Sequence, residues 1–320
     1  MRTSDAARGM SEERVRAFWE ARPCGDQIVG GLDERFHHDY AQFFDEYDAW
    51  RYHQEGHILA CLDAVDWRDK DVLEIGPGEG AESEQLIRRG ARWSGLDLTQ
   101  ESVDRVATRL KIRALPYTAL ERGSALEIPY DDNSFDYVFS HGVLHHIPDI
   151  RRAQAEIHRV LRPGEVLIAM LYARNSLNYH VSIRIVRRGV LAAVYAFRKT
   201  PLVPAHGMLR DHVENAEQMG LFRYLRMETF THYSTDGPLN PFARVYSPKE
   251  VERDFPDFSL EKTYQRYMHA PPLPVHGLPG GDRMGWHLWA HLRARTEDIQ
   301  GEDVRATGTD DVREARGGER

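Results

Sequence analysis

Three glycines at alternate positions, Gly76, Gly78 and Gly80, end a short apolar run from Val72 to Ile75. Glycine there permits a tight turn and close approach of a ligand to the backbone. Alternate glycines alone suit a dinucleotide, a nucleoside or a plain tight loop. Three neighbours turn the reading away from a dinucleotide. Glu74 sits at the strand end, where a carboxylate attracts the ammonium of an amino-acid ligand rather than a pyrophosphate. Pro77 removes a backbone N–H from any phosphate cradle. Asp97 closes the next apolar run, Arg92 to Leu96, placed to accept from both hydroxyls of a ribose.

A second group is the histidines His141, His145 and His146, just past the apolar run Phe135 to Ser140. An imidazole titrating near neutrality can remove a proton from a reacting atom. On a helix His145 and His146 cannot both point the same way. Neither this cluster nor His37, His38 and Asp39 has the spacing of a catalytic zinc site. The two cysteines, Cys24 and Cys61, make neither a disulfide framework nor a thiolate zinc site. No metal site of the protein's own is expected.

These groups need a sheet edge to hold them, and the pattern supplies one. Short apolar runs at Val72–Ile75, Arg92–Leu96, Tyr117–Arg122, Phe135–Ser140 and Val166–Tyr172 alternate with amphipathic helices at Glu82–Arg89, Gln100–Lys111 and Ile150–Leu161. That alternation predicts an α/β fold with a mostly parallel sheet covered on both faces. Thr99 is placed to cap the second helix and Pro163-Gly164 to stop the third. Ahead of the sheet, helices are predicted at Ser11–Trp19, capped by Ser11, and over His37–Asp63, rich in aromatics. Ser182–Phe197 and His212–Met219 read as helices after it, and Phe258–Met268 and Gly285–Leu292 as late strands.

The chain has 320 residues, 41% hydrophobic and 29% charged, with 42 Lys plus Arg against 50 Asp plus Glu. A net charge of -8 gives no general field for gathering phosphates and argues against a nucleic-acid partner. The charged start, Met1 to Glu20, lacks a signal-peptide core, and no apolar run reaches bilayer length. Cytoplasm is the expected compartment.

The run Val72 to Gly80, followed by Gly95-Leu-Asp-Leu-Thr99, resembles the first two motifs of the class I S-adenosylmethionine-dependent methyltransferases. Ser124 to Ser140 is similar to the third and fourth. His141 to Asp149 and His158 to Gly164 match the style of the ubiquinone/menaquinone-biosynthesis type. The resemblance covers roughly Asp71 to Tyr172. It implies a Rossmann-like seven-stranded sheet with an antiparallel last strand and S-adenosyl-L-methionine as cofactor. Carried over by position, Glu74, Gly76, Gly78 and Gly80 would hold the methionine moiety and Asp97 the ribose. Leu98, Ala125 and Leu126 would border adenine, with Ser124 where the family commonly has an Asp. His141 would lie near the sulfonium.

The organisation then reads as a helical lid over 1–65, a cofactor-binding core over 66–173 and a helical insert over 174–245. Strands completing the sheet follow over 246–295, then a tail expected to be disordered over 296–320. Lid and insert should cover a small-molecule acceptor, with Arg51, Tyr52, Arg174, Asn178 and His180 as candidate contacts. A diphosphate acceptor would bring Mg2+ with it. Methyl transfer to O, N or C of a metabolite, in specialised or isoprenoid metabolism, is the expected activity. A protein or RNA methyltransferase and a non-catalytic binding module stay open as alternatives.

Overall fold

Val72, Leu73, Glu74 and Ile75 are all buried, as a strand inside a sheet covered on both faces must be. The computed structural model describes residues 11–201 and 203–296. Its strands are β1 (Asp71–Ile75), β2 (Arg92–Asp97), β3 (Ala119–Arg122), β4 (Phe135–His141), β5 (Leu161–Tyr172), β6 (Phe258–Arg266) and β7 (His287–Ala294). They form one seven-stranded sheet in the order β3-β2-β1-β4-β5-β7-β6. β7 runs antiparallel between β5 and β6, and every other pairing is parallel. This is the Rossmann-like sheet of the class I methyltransferases. The strand order reverses between β1 and β4, so a crevice opens beyond their carboxyl ends.

The helices between strands are α6 (Ala81–Arg88), α7 (Gln100–Ile112) and α8 (Ile150–Val160). The Thr99 side chain accepts from Ser102 N and caps α7, with Arg109 and Lys111 at its far end. Pro163-Gly164 does not act as a stop. α8 ends at Val160, Leu161 turns extended at once, and Pro163 lies inside β5.

Among the described residues five helices precede the sheet: α1 (Glu12–Ala21), α2 (Cys24–Val29), α3 (Leu32–Phe36), α4 (Tyr40–Gln54) and α5 (His57–Asp63). Ser11 makes no side-chain cap bond. The helix expected over His37–Asp63 starts only at Tyr40, after His37 and His38 at positive φ and the Asp39 cap, and is interrupted at Glu55–Gly56 between α4 and α5. Phe36, Phe43, Phe44 and Tyr47 pack as a small core of their own.

Beyond β5 a π-helical turn, Asn178–Arg187, leads into α9 (Arg188–Ala196), α10 (Met208–Met219), α11 (Leu221–Tyr224) and α12 (Met227–Thr235). The insert builds a separate core from Tyr179, Ile183, Leu191, Val213, Tyr224 and Phe230. Its two ends meet: Arg174 N donates to Tyr246 O (2.9 Å) and Tyr246 N to Tyr172 O (2.7 Å). α13 (Pro248–Asp254) and α14 (Gly281–Met284) flank β6. The expected tail lies outside the described residues beyond Thr296.

The lid helices are tied to the sheet by buried arginines. Arg109, with no exposed surface, donates to both Asp48 oxygens (2.8 Å each), Glu84 (3.0 Å) and the Glu79 carbonyl (2.7 Å). Arg105 joins Asp26 of α2 to Glu79 and Glu101. Removing one partner of such a network leaves desolvated charge behind. Arg109→Ala should therefore cost about 3 kcal/mol in urea unfolding. A loss under about 1 kcal/mol, the level of a surface pair, would show that the lid is held by apolar packing alone.

Candidate functional site

One cavity of about 1100 Å³ runs from the glycine turn to the underside of the insert. At its first end Gly78 has φ 58 and open space where a Cβ would stand, so backbone faces the cavity. Gly76 is required differently: at φ 73 a Cβ would meet the Val143 side chain at 2.3 Å. Asp97 lies at the end of β2 and is nearly buried. Its Oδ1 accepts from Thr99 N and Oγ1 (2.9 Å each) and its Oδ2 from Gly78 N (3.3 Å). Burial pushes its pKa upward, opposed by those donors. Pro77, Glu79, Leu98, Thr99, Gly123 and Ala125 continue this wall. The carboxylate, the open turn and the apolar slot beside Leu98 and Ala125 fit a nucleoside carrying a polar tail.

Helix α1 lies across this end. Glu20 accepts from Gln100 N (3.1 Å) and Glu101 N (3.2 Å), while Glu12 accepts from the Ser124 hydroxyl. Between these two fastenings Val15, Phe18 and Trp19 face the cavity.

Four expected cofactor contacts lie off the cavity. Glu74 turns inward, accepting from Ser83 Oγ (2.6 Å) and Trp93 Nε1 (2.8 Å), so it braces β1 against α6 and β2. Burial pushes its pKa up to about 8. A Cβ at Gly80 would stand 3.1 Å from Arg109, under the turn. Ser124 holds Glu12 and Leu126 N, and Leu126 packs into the main core.

The polar centre is built from four distant segments. Arg51 of α4 donates from Nε to Glu82 (2.6 Å) and from Nη2 to His141 Nδ1 (3.0 Å), with Glu55 3.7 Å from Nη1. Burial, then the Arg51 charge, hold the His141 pKa well below the usual value, so the ring is neutral. A guanidinium can only donate, so Nδ1 accepts and the ring proton sits on Nε2. That Nε2 has no partner among the described residues, and neither does Glu55 Oε2 apart from the Arg51 charge. His287, at the start of β7, places Nδ1 3.2 Å from His57 Nε2. Burial and the neighbouring His57 push its pKa down as well.

Glu55, His141 and His287 each bring one donor atom within 4.8 Å of the others. Two histidines and a carboxylate could hold a divalent ion in principle. The Arg51 charge beside them and the Nε2 proton of His141 oppose it, so the trio is better suited to handling a proton.

Of the other two histidines expected to handle a proton, one lies off the cavity and one lines it. His145 is fully buried against Tyr172, ring centroids 3.8 Å apart, and lies off the cavity. His146 faces the cavity, and its Nδ1 is engaged by the Phe242 carbonyl at 2.7 Å. Its Nε2 has no hydrogen-bond partner among the described residues and lies 3.5 Å from Asp236, which also lines the cavity. Of the expected acceptor contacts only Arg51 lines the cavity. Tyr52 donates to the Ala81 carbonyl (3.0 Å) and Asn178 is buried in the insert; neither lines the cavity. Arg174 bonds Glu250 (2.7 Å), Tyr179 (3.1 Å) and Val245 O (3.2 Å), fastening the insert's ends. His180 is exposed. Sequence reasoning missed Glu55, His57 and His287. The alternation of His287 with Trp289 and His291 was their one visible sign, and it marks a strand rather than a site.

Residues 73–169 match a family model described as a methyltransferase domain, a stretch that carries the turn, Asp97 and His141. A phthiotriol/phenolphthiotriol dimycocerosates methyltransferase of Mycobacterium tuberculosis is 39% identical over 102 residues, 31% of this chain and 37% of that protein. An uncharacterized 37.1 kDa protein in transposon TN4556 of Streptomyces fradiae is 30% identical over 186 residues, 51% and 53% of the two chains. A demethylmenaquinone methyltransferase of Bacillus pumilus is 24% identical over 152 residues, 43% and 63% of the two chains. The chain thus spans 37% to 63% of the length of these relatives.

The buried Glu74 makes a measurable pH effect. Its pKa of about 8 lies above that of a solvated glutamate, so between those values the folded state binds more protons than the unfolded one. Stability is full at acid pH and falls as pH rises toward 8. Glu74→Gln keeps an acceptor for Ser83 and Trp93 but cannot ionise. The variant should gain on the parent protein in denaturation midpoint as pH rises from 5 to 8 (about the window between the two pKa values). A constant difference across that window would place the ionised carboxylate comfortably in the fold.

Proposed function

We propose, for a chain that carries a class I S-adenosylmethionine-dependent methyltransferase domain, that the methyl group goes to a hydroxyl of a small molecule with a large apolar body. The observation that carries this reading is the cavity's continuity. One space of about 1100 Å³ joins the Gly78–Asp97 wall to a chamber of Trp19, Trp50, Leu191, Phe230 and Trp286, with one polar centre between. A single drug-sized ligand needs about 300–1000 Å³, so two ligands can share the space. The relatives named for phthiotriol and demethylmenaquinone are consistent with an apolar acceptor.

When bound, S-adenosylmethionine supplies a methyl group already activated on a sulfonium. The Gly76–Gly78 backbone, Asp97, Leu98 and Ala125 would hold it. The chain's remaining tasks are to orient the acceptor, exclude water and receive a proton. His141 offers an Nε2–H donor to the acceptor oxygen, and Arg51 fixes that ring. His287 receives the proton. The resulting imidazolium donates from Nδ1 to His57 and faces the Glu55 carboxylate.

Two variants separate cofactor from acceptor chemistry. Asp97→Ala should weaken binding of S-adenosylhomocysteine about tenfold or more by calorimetry, since charge-assisted hydrogen bonds are lost. Unchanged affinity would remove Asp97 from the site. Labelled methyl donor should be consumed with isoprenoid hydroquinones or long-chain alcohols, and activity confined to peptides or RNA would overturn the small-molecule reading. On the acceptor that works, His287→Gln should lower kcat about 100-fold and leave KM for the methyl donor little changed. The parent enzyme should lose activity on the acid side as His287 protonates, and the variant should lack that limb. An unaltered kcat and pH profile would exclude His287 as the proton acceptor.

A further inference from the structure

The surface of the insert departs from the rest of the chain in charge. Residues 173–210 contain no Asp or Glu and carry seven Lys and Arg, in a chain of net charge -8. Two of these cations are used internally, Arg174 on Glu250 and Arg187 on the Ser234 and Pro271 carbonyls. Arg198 and Arg210 pair with Glu217 and Glu214 of α10. Arg184 and Lys199 are exposed, and Arg188 donates only to the Arg184 carbonyl.

The same stretch shows apolar side chains to solvent: Ile185 is 63% exposed, Val190 51%, Phe197 53% and Met208 71%. Val190 and Phe197, two turns apart, share one face of the helix. Val190, Met208 and Leu239 are exposed and also line the cavity, so they mark its mouth. A mouth rimmed with apolar groups beside cations that have no ion pair among the described residues is an arrangement that water alone does not reward.

We propose that this face docks on an anionic lipid surface, with Ile185, Val190, Phe197 and Met208 in the interfacial layer and Arg184, Arg188 and Lys199 against the headgroups. Apolar side chains flanked by Lys and Arg are how interfacial helices bind such surfaces. A second copy of the chain would set the same cations against one another. A nucleic acid would meet the cations but leave the protruding Phe197 and Met208 without a partner. Docked this way, the cavity opens toward the bilayer, where a sparingly soluble acceptor resides. That consequence rests on the proposed function, whereas the docking itself rests on the surface alone. Among the described residues no helix is long and apolar enough to cross a membrane.

The test is sedimentation of the full chain with vesicles of phosphatidylcholine, alone or mixed with phosphatidylglycerol. Three unpaired cations predict partitioning about 100-fold stronger on the anionic vesicles at low salt, declining as salt is raised. Lys199→Glu with Arg184→Glu should abolish the anionic preference. Ile185→Ser with Phe197→Ser should reduce binding to both vesicle types. None of these four side chains lines the cavity, so calorimetric affinity for S-adenosylhomocysteine serves as the folding control. Failure to sediment with either vesicle, or binding indifferent to all four substitutions, would overturn the proposal. So would a stable dimer in ultracentrifugation that the same substitutions dissolve. The vesicles contain no acceptor, so failure to find a methylated product leaves this measurement unaffected.

Discussion

Arg109 carries its charge into a place without solvent, where Asp48, Glu84 and the Glu79 carbonyl close around it. Arg105 does the same one turn earlier with Asp26, Glu79 and Glu101. Both side chains leave α7 and reach up into the lid, while Arg51 reaches down from the lid to Glu82. A desolvated guanidinium has few acceptable seats, because each N–H must find an oxygen. The lid therefore has one register on the sheet. The cavity, the approach of Trp19 and the aim of Arg51 at His141 all follow from that register.

Charge burial also sets the chemistry of the centre. A cationic neighbour makes His141 a donor rather than a base, an outcome its position at the end of β4 would not suggest. In the proposed chemistry the proton-accepting role passes to His287, which has its own imidazole partner. Burial, the neighbouring His57 and the Arg51 charge lower the His287 pKa as well, so both rings are neutral.

The cofactor end was legible in the sequence because its parts are near neighbours in the chain. A strand, a turn and the next strand bring Gly76, Gly78 and Asp97 together within one βαβ unit, and the spacing alone conveys the geometry. The polar centre was not legible. Arg51, Glu55, His57, His141 and His287 come from α4, α5, β4 and β7, and only the tertiary fold makes them neighbours. Arg174 and Glu74 show the opposite failure. Each has the residue type for a ligand contact, but Glu250 claims the first and Ser83 with Trp93 the second. A side chain's capacity for a bond is visible in sequence, and the identity of its partner is not.

The insert leaves the sheet after Ala173 and returns at Tyr246, and those two points are bridged to each other. Between them the chain builds an apolar core distinct from the one beneath the sheet, closed at its base by Trp286, Tyr172 and Tyr267. Mechanically this is a doorframe: whatever hangs between the posts, β5 and α13 meet the same load. Helices at the outer side of this span can lengthen, shorten or be exchanged without touching the pairing of β5 with β7, provided the contacts of the insert with Tyr172, Pro271 and Trp286 are kept. Divergence in what the cavity admits can thus proceed in the upper storey of the molecule without renegotiating the foundations.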